Sequence, residues 1–329
     1  METVRWGLMS TALINRRVIP AIRTSERSDL IAVASRDRQK AEAYAADWEI
    51  AQVFGSYEEM LASEAVDAVY ISLPNHLHAE WSIKAMEAGK HVLCEKPFAI
   101  SVADVDQMVA TADRTGRALA EAFMYRHHPQ TKLIGEWIED GRLGEITYFQ
   151  GVFNFMGLEP NNVRLAPEMG GGALWDVGVY PLSLAQYVMG GPPEKVVGDQ
   201  LLGSSGVDMF FVGQLRYNGG RIAHISCSFN TPFHTFAQIM GTKGTLTVYR
   251  PFIAMHDQSH LYFTEPDGKP ELVPVPAKEL YLGEVEDMNA AVLDGTPNYL
   301  TLAESRNHVR TVLALYESAQ NNSQVVSLV

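Results

Sequence analysis

The sequence predicts an α/β chain: a doubly wound parallel sheet of the Rossmann type at the N-terminus, then an α+β domain on a largely antiparallel, open-faced sheet. Three observations predict it. Short apolar runs alternate with helical patterns through the first third of the chain. Beyond Phe123 the rhythm changes to longer segments of alternating polarity. The 329 residues also exceed what one hydrophobic core usually organises. Two domains are expected, 1–122 and 123–329.

In the first domain, residues 4–9, 30–34, 51–54, 68–72, 91–94 and 118–120 read as short buried strands. Helical patterns separate them at 14–24, 38–48, 57–63, 76–88 and 102–116, the fourth ended by Gly89. Strands and helices alternating at this spacing require parallel pairing with right-handed crossovers. In the second domain a helix over 129–140 precedes a strand-like alternation over 147–155. A Gly-rich turn then leads to a helix closed by Gly190-Gly191-Pro192-Pro193. Alternating segments follow at 208–217, 221–230, 236–240, 244–249, 261–264 and 271–275. Asn218-Gly219-Gly220 and Thr242-Lys243-Gly244 are placed as hairpin turns. Helices over 284–293 and 302–319 close the chain. An open sheet face of this kind favours a homodimer, or a dimer of dimers, through the C-terminal sheet.

Composition narrows the function classes. The formal net charge of −13, with no Lys/Arg-rich run, excludes the basic footprint that nucleic-acid binding requires. It also disfavours an anionic membrane surface, and no apolar stretch approaches the ~20 residues of a spanning helix. The two cysteines, Cys94 and Cys227, stand far apart, and Cys94, in an apolar run, reads as a buried free thiol. No metal-ligand spacing occurs. With no cleavage-type leader pattern, a reducing cytoplasm is the expected location.

The first strand ends in Trp6-Gly7-Leu8-Met9-Ser10-Thr11-Ala12-Leu13-Ile14-Asn15 and opens a helix, the context of a dinucleotide pyrophosphate site. The three glycine positions of such a turn fall on Ser10, Ala12 and Asn15, so the segment reads either as a small-residue phosphate turn or as a plain βα turn. At the end of the second strand, Val33-Ala34-Ser35-Arg36-Asp37-Arg38, Ser35 stands where an acid would hold a free ribose hydroxyl. Arg36 can stack on adenine and pair a ribose phosphate, with Asp37 turned away. The alternative is that Arg36 and Arg38 begin a solvated helix. NADP(H) is the preferred cofactor and NAD(H) the alternative.

Two further stretches carry a family resemblance. One is Leu73-Pro74-Asn75-His76-Leu77-His78 through Gly89-Lys90-His91-Val92-Leu93-Cys94-Glu95-Lys96-Pro97. The other is Gly170-Gly171-Gly172-Ala173-Leu174-Trp175-Asp176-Val177-Gly178-Val179-Tyr180. Together they resemble the glucose–fructose oxidoreductase, inositol dehydrogenase and rhizopine-catabolism family, Gfo/Idh/MocA. The likeness extends over essentially the whole chain. The opening Leu8-Met9-Ser10-Thr11-Ala12, with Tyr at position 180, is similar to the branch of NADP-dependent xylose dehydrogenases and dihydrodiol dehydrogenases.

The resemblance implies hydride transfer between a nicotinamide and a carbinol or carbonyl of a sugar, polyol or vicinal diol. It makes Tyr180 the acid/base and gives Asp176 a hold on the substrate or on that tyrosine. It also implies a cis bond between Lys96 and Pro97. Elementary chemistry agrees. Oxidising an alcohol releases a proton as well as a hydride, so a base is needed. A free tyrosine, of pKa about 10, is a poor one unless an ammonium stabilises its phenolate. Lys96 is the candidate ammonium, with Glu95 orienting it or the ribose. On their residues alone, Asp176 reads first as a helix cap and Tyr180 first as a core aromatic. Gly172 and Gly178 are expected to leave room for a ligand, and Pro181 to kink the segment.

The expected cofactor contacts are Ser10, Thr11, Ala12, Leu13, Ile14, Ser35, Arg36, Leu73, Pro74, Asn75, His78, Glu95 and Lys96. Arg126 and Arg164 join Asp176 as substrate contacts, although Arg126 also reads as a bridge between the domains, Arg164 as a solvated loop arginine and His78 as a helix-face histidine. Two other functions share the fold: a sugar oxidoreductase that retains its cofactor between half-reactions, and a ligand sensor without chemistry.

Overall fold

The computed structural model describes residues 2–253 and 260–328. The chain forms two compact units, Met1–His127 with Tyr281–Ser305, and His128–Leu280 with Arg306–Val329.

The first unit is a six-stranded sheet of β1 (Val4–Met9), β2 (Ser28–Ala34), β3 (Gln52–Phe54), β4 (Ala68–Ile71), β5 (His91–Glu95) and β6 (Leu119–Ala122). Every pairing is parallel, in the order β3-β2-β1-β4-β5-β6. β4 is buried along its whole length, as a parallel strand covered on both faces must be. The crossovers are α1 (Asn15–Thr24), α2 (Arg38–Asp47), α3 (Tyr57–Ala62), α4 (His78–Glu87) and α5 (Val102–Thr115). Asp37, Ser56 and Ser101 cap α2, α3 and α5 by accepting backbone N–H bonds, and Gly116, left-handed at φ 65°, ends α5. The strand order reverses between β1 and β4, the position where open α/β sheets bind ligands.

A single cut at residue 122 needs correcting, because a later helix belongs to the first unit. Its Asn289 side chain accepts from Trp6 Nε1 (3.1 Å) and donates to Ser25 and Ser28, while Asp294 pairs with Arg27 at 2.7 Å. These bonds satisfy buried polar atoms of β1 and of the α1–β2 connection, which a unit ending at 122 would leave open.

Among the described residues the second unit carries nine strands: β7 (Ile146–Met156), β8 (Lys195–Leu202), β9 (Asp208–Arg216), β10 (Ile222–Ser228), β11 (Asn230–Gly241), β12 (Gly244–Tyr249), β13 (His260–Thr264), β14 (Glu271–Val273) and β15 (Val326–Ser327). Their order is β14-β13-β12-β11-β7-β10-β9-β8-β15. Neighbours are antiparallel except β7 and β10, which run parallel because β7 enters the sheet between two later hairpins. Both expected hairpin turns are present, joining β9 to β10 and β11 to β12. The helices are α6 (Pro129–Glu139), α7 (Val179–Met189), α8 (Leu282–Asp294, the helix of the first unit just described) and α9 (Leu302–Gln320).

Glycines set how closely helices approach the sheet. A Cβ on Gly151 would lie 2.8 Å from Pro181 of α7, and one on Gly198 2.5 Å from the Leu315 carbonyl of α9. The opposite face is partly exposed. There Tyr148, Gln150, Gln214, His224 and Ser226 line a hollow of about 430 Å³. Tyr148 and Gln214 lie 3.0 Å from the two nitrogens of His224. No helix among the described residues is long and apolar enough to cross a membrane.

Candidate active site

The turn after β1 does without glycine. Ser10 adopts φ 126°, a conformation that ordinarily needs one. Its hydroxyl accepts from Ala12 N (3.1 Å) and meets Ser72 Oγ (2.8 Å) at the end of β4. Asn15 Nδ2 donates to Ser10 O (2.8 Å), and Ser72 Oγ donates to Asn15 Oδ1 (2.7 Å). Ser10, Asn15 and Ser72 thus form a closed hydrogen-bonded lock on the strained turn at the strand-order reversal. Thr11 and Ala12 remain partly exposed above it, Ile14 leads into α1, and Leu13 at the tip is 77% exposed.

At the end of β2, Ser35 is buried and accepts from Asp37 N (3.2 Å), while Asp37 accepts from Lys40 N (3.2 Å) as the cap of α2. Asp37 is therefore committed to its own helix, and Arg36 stands exposed beside Tyr57. No carboxylate is offered to a ribose hydroxyl here. A small-residue turn and an exposed guanidinium fit a dinucleotide whose ribose carries a phosphate.

Leu73, Pro74 and Asn75 leave β4 and enter a single 3-10 turn, with Pro74 and Asn75 partly exposed. His78, expected to contact cofactor through its ring, has no exposed surface. Nδ1 lies 2.8 Å from Pro97 O and Nε2 2.8 Å from Leu73 O. Burial, partly opposed by the two carbonyls, lowers its pKa. The ring ties the loop after β4 to the Glu95-Lys96-Pro97 turn and leaves no side-chain atom for a ligand. The Lys96–Pro97 bond is cis, as the resemblance implies. Glu95 accepts from Lys96 N (3.2 Å) and from the Tyr70 hydroxyl. Burial first, then the Glu95 charge, pushes the Tyr70 phenol far up, so it stays a donor. Lys96 is partly exposed at the end of this turn.

Arg126, expected at the substrate, is 1% exposed. It donates to Glu304 Oε1 at 2.9 Å and lies over the Tyr299 ring. That ion pair lies within the first unit.

In the second unit, Asp176 lies in a π-helical turn, Leu174–Gly178, that runs directly into α7 and Tyr180. Four residues is close to one turn in either helix type, so both side chains leave the same side of the segment. The widened turn precedes Pro181, whose missing N–H an unbroken α-helix would not accommodate there. The expected kink is taken up as a π turn. Asp176 accepts from Arg164 Nε at 2.6 Å, so two of the expected substrate contacts meet in one ion pair. Tyr180, 6% exposed, packs against both Phe153 and Phe252 at ring distances of 5.3 and 5.7 Å.

The glycines of this motif do not leave space for a ligand. A Cβ on Gly171 would lie 2.6 Å from Arg164 O, one on Gly172 2.1 Å from Asp208 Oδ1, and one on Gly178 2.8 Å from Cys227 Sγ. They admit the protein's own atoms. Gly172 N donates to Arg164 O (2.9 Å), which holds the Arg164 loop against the segment bearing Asp176. Sequence reasoning overlooked Ser72, Tyr70, Phe153, Phe252 and Asp208 as parts of these arrangements. Only the missing glycines at Ser10 and Asn15 signalled that some partner had to replace them.

Cys94, as expected, and Cys227 are buried free thiols, and no group of three or more metal-ligating side chains occurs among the described residues.

An open α/β sheet with a phosphate-type turn at its switch point, joined to an α+β unit presenting an acid and a tyrosine from one helix, defines a dinucleotide-dependent oxidoreductase. A family model described as "Oxidoreductase family, NAD-binding Rossmann fold" matches residues 4–123, and the corresponding C-terminal domain model matches residues 131–247. The chain belongs to the Gfo/Idh/MocA oxidoreductase family. It is 34% identical to a D-xylose 1-dehydrogenase (NADP(+)) of Haloferax volcanii, over 97% of this chain and 98% of the relative. It is 32% identical to a trans-1,2-dihydrobenzene-1,2-diol dehydrogenase of Xenopus tropicalis, over 74% of each. A solved 3-ketoreductase from Actinomadura kijaniata, in complex with NADP and TDP-benzene, has the same fold at TM-score 0.89 and 28% identity, covering 96% of this chain and 98% of that one. Solved variants of that ketoreductase replace a tyrosine by phenylalanine and a lysine by alanine or glutamate.

Proposed function

We propose that this protein is an NADP(H)-preferring dehydrogenase or reductase acting on a CH–OH or C=O carbon of a sugar, polyol or vicinal diol. Bound nicotinamide supplies or accepts the hydride. The locked turn at Ser10, Thr11, Ala12, Leu13 and Ile14 receives the pyrophosphate through backbone N–H groups, and Arg36, above buried Ser35, pairs the ribose phosphate. Leu73, Pro74, Asn75 and Glu95 shape the nicotinamide end. Tyr180 holds or delivers the proton at its phenolic oxygen, assisted by Lys96 as the cation favouring phenolate. Asp176, steadied by Arg164, orients the hydroxyl-bearing substrate.

The observation that carries this reading is the presentation of Asp176 and Tyr180 by one continuous helical segment. The relatives support it. The Haloferax enzyme is named for xylose and NADP(+), and the ketoreductase was solved with NADP. The lysine and tyrosine replaced in that ketoreductase are separated by as many residues as Lys96 and Tyr180. The open face of the second sheet, with exposed Val212, Leu201 and Tyr249, suits a second copy of the chain, giving a homodimer. Reduced buried thiols suit a cytoplasmic setting.

A panel of sugars and diols incubated with NADP or NAD, read by absorbance of the reduced cofactor, should identify a substrate. With it, Tyr180→Phe and Lys96→Ala are expected to lose about 100-fold or more in kcat while still binding NADPH. Near-normal turnover in both variants would refute the assignment.

A further inference from the structure

Asp208 is the first residue of β9, is 2% exposed, and belongs to a different element from the helix it serves. One carboxylate oxygen accepts from Leu174 N (2.7 Å), the first residue of the π turn. The other accepts from the Tyr316 hydroxyl of α9, also at 2.7 Å. Tyr316 is itself wedged between Trp175 and Phe211, at ring distances of 6.0 and 5.5 Å. The approach is so close that residue 172 must be glycine. At φ 121° its Cβ would overlap Asp208 Oδ1 and crowd Tyr316 Oη, 2.9 Å away. Asp176 N then donates to Gly172 O (3.0 Å), so the turn bearing Asp176 starts from the residue that the Asp208 carboxylate touches.

A helix N-terminus needs only a local Ser, Thr, Asn or Asp to cap it. A carboxylate brought from a neighbouring strand, buried, and held by a second side chain costs more desolvation than such a cap. What it adds is position: the start of the helix is fixed to the sheet and to α9, not merely closed off. We infer that Asp208, braced by Tyr316, is a positioning residue for the reaction, fixing the π turn so that Asp176 and Tyr180 are presented in register to the substrate. This rests on the acid/base reading of Tyr180 given above. The titratable groups around Asp208 are Tyr316 from α9, Cys227 from β10 and, beside Cys227, Asp176. Burial keeps the thiol and the phenol protonated, and it raises the Asp208 carboxyl to about 6, so this brace changes charge around that pH.

The test compares Asp208→Asn, Tyr316→Phe and Tyr180→Phe with the full-length wild type on the substrate found in the panel. Asp208→Asn, which can accept at only one of the two carboxylate positions, should cut kcat about tenfold or more, leaving the NADPH Kd within about twofold and the substrate KM within about threefold. Tyr316→Phe, which keeps the backbone bond, should cost about threefold in kcat and move the acid limb of the kcat–pH profile upward by about half a unit or more. A folded Asp208→Asn with kcat within twofold of wild type overturns the proposal. So does an Asp208→Asn that fails to fold alongside a Tyr316→Phe whose kcat and pH profile match wild type. If Asp208→Asn fails to fold and Tyr316→Phe shows the loss and the moved limb, the proposal stands. Impaired Tyr180→Phe with both other variants unimpaired removes Asp208 alone. Unimpaired Tyr180→Phe removes the acid/base assignment, and with it what Asp208 is said to position.

Discussion

At Ser10 the backbone holds a conformation that glycine adopts freely, and three hydroxyl or amide side chains hold it there. Ser10→Ala keeps the strain and removes the hydroxyl bonds, so a loss of about 1–3 kcal/mol is expected, seen as a lower denaturant midpoint and weaker NADPH binding. Ser10→Gly loses the same bonds but relieves the backbone, and should be the milder of the two. Arg36 makes a different prediction. Arg36→Ala should weaken NADP affinity about 10–100-fold while leaving NAD binding near its starting value, measured by fluorescence titration of both cofactors. These residues were only partly legible in the sequence. Ser35-Arg36-Asp37 could be interpreted because the chemistry of a ribose phosphate asks for a cation. Ser72 could not, because its role depends on a crossover that brings the end of β4 beside Ser10.

Among the elements, the segment from the π turn into α7 begins at a buried carboxylate, and this has a consequence for stability. The Asp208 carboxyl, lifted by burial to about 6 against its ordinary 3.8, binds a proton more readily folded than unfolded. Stability from this group is therefore lost as pH rises through about 4 to 6 and regained on acidification. The span is on the order of 3 kcal/mol. Thermal melts should show wild type gaining on Asp208→Asn between pH 7 and pH 5; a gap independent of pH would contradict this. Most elements were readable beforehand, since β4 and β5 are unbroken apolar runs and α5 carries its own serine cap and glycine stop. β8 was not. Gly198 faces inward where a strand pattern demands an apolar side chain, and the reason, the Leu315 carbonyl pressing on that site, lies in distant α9. β15 is two residues paired with β8 and has no periodicity to detect.

At the scale of the whole molecule, the nine-stranded sheet carries helices on one face and a partly exposed opposite face of mixed polarity. Sedimentation velocity should find a dimer, and Val212→Glu, at an exposed position in the middle of that face, should shift it toward monomer; a wild-type monomer at micromolar concentration would remove the proposal. The fold class was legible because two different rhythms are written in the sequence. The division between units was less so, since chain order gives no sign that α8 returns to the first sheet. That return has a bearing on biosynthesis. The indole of Trp6 is synthesised 283 residues ahead of its partner Asn289. Over that span of translation the nascent first sheet waits with an open seam, and only the arrival of α8 zips it shut.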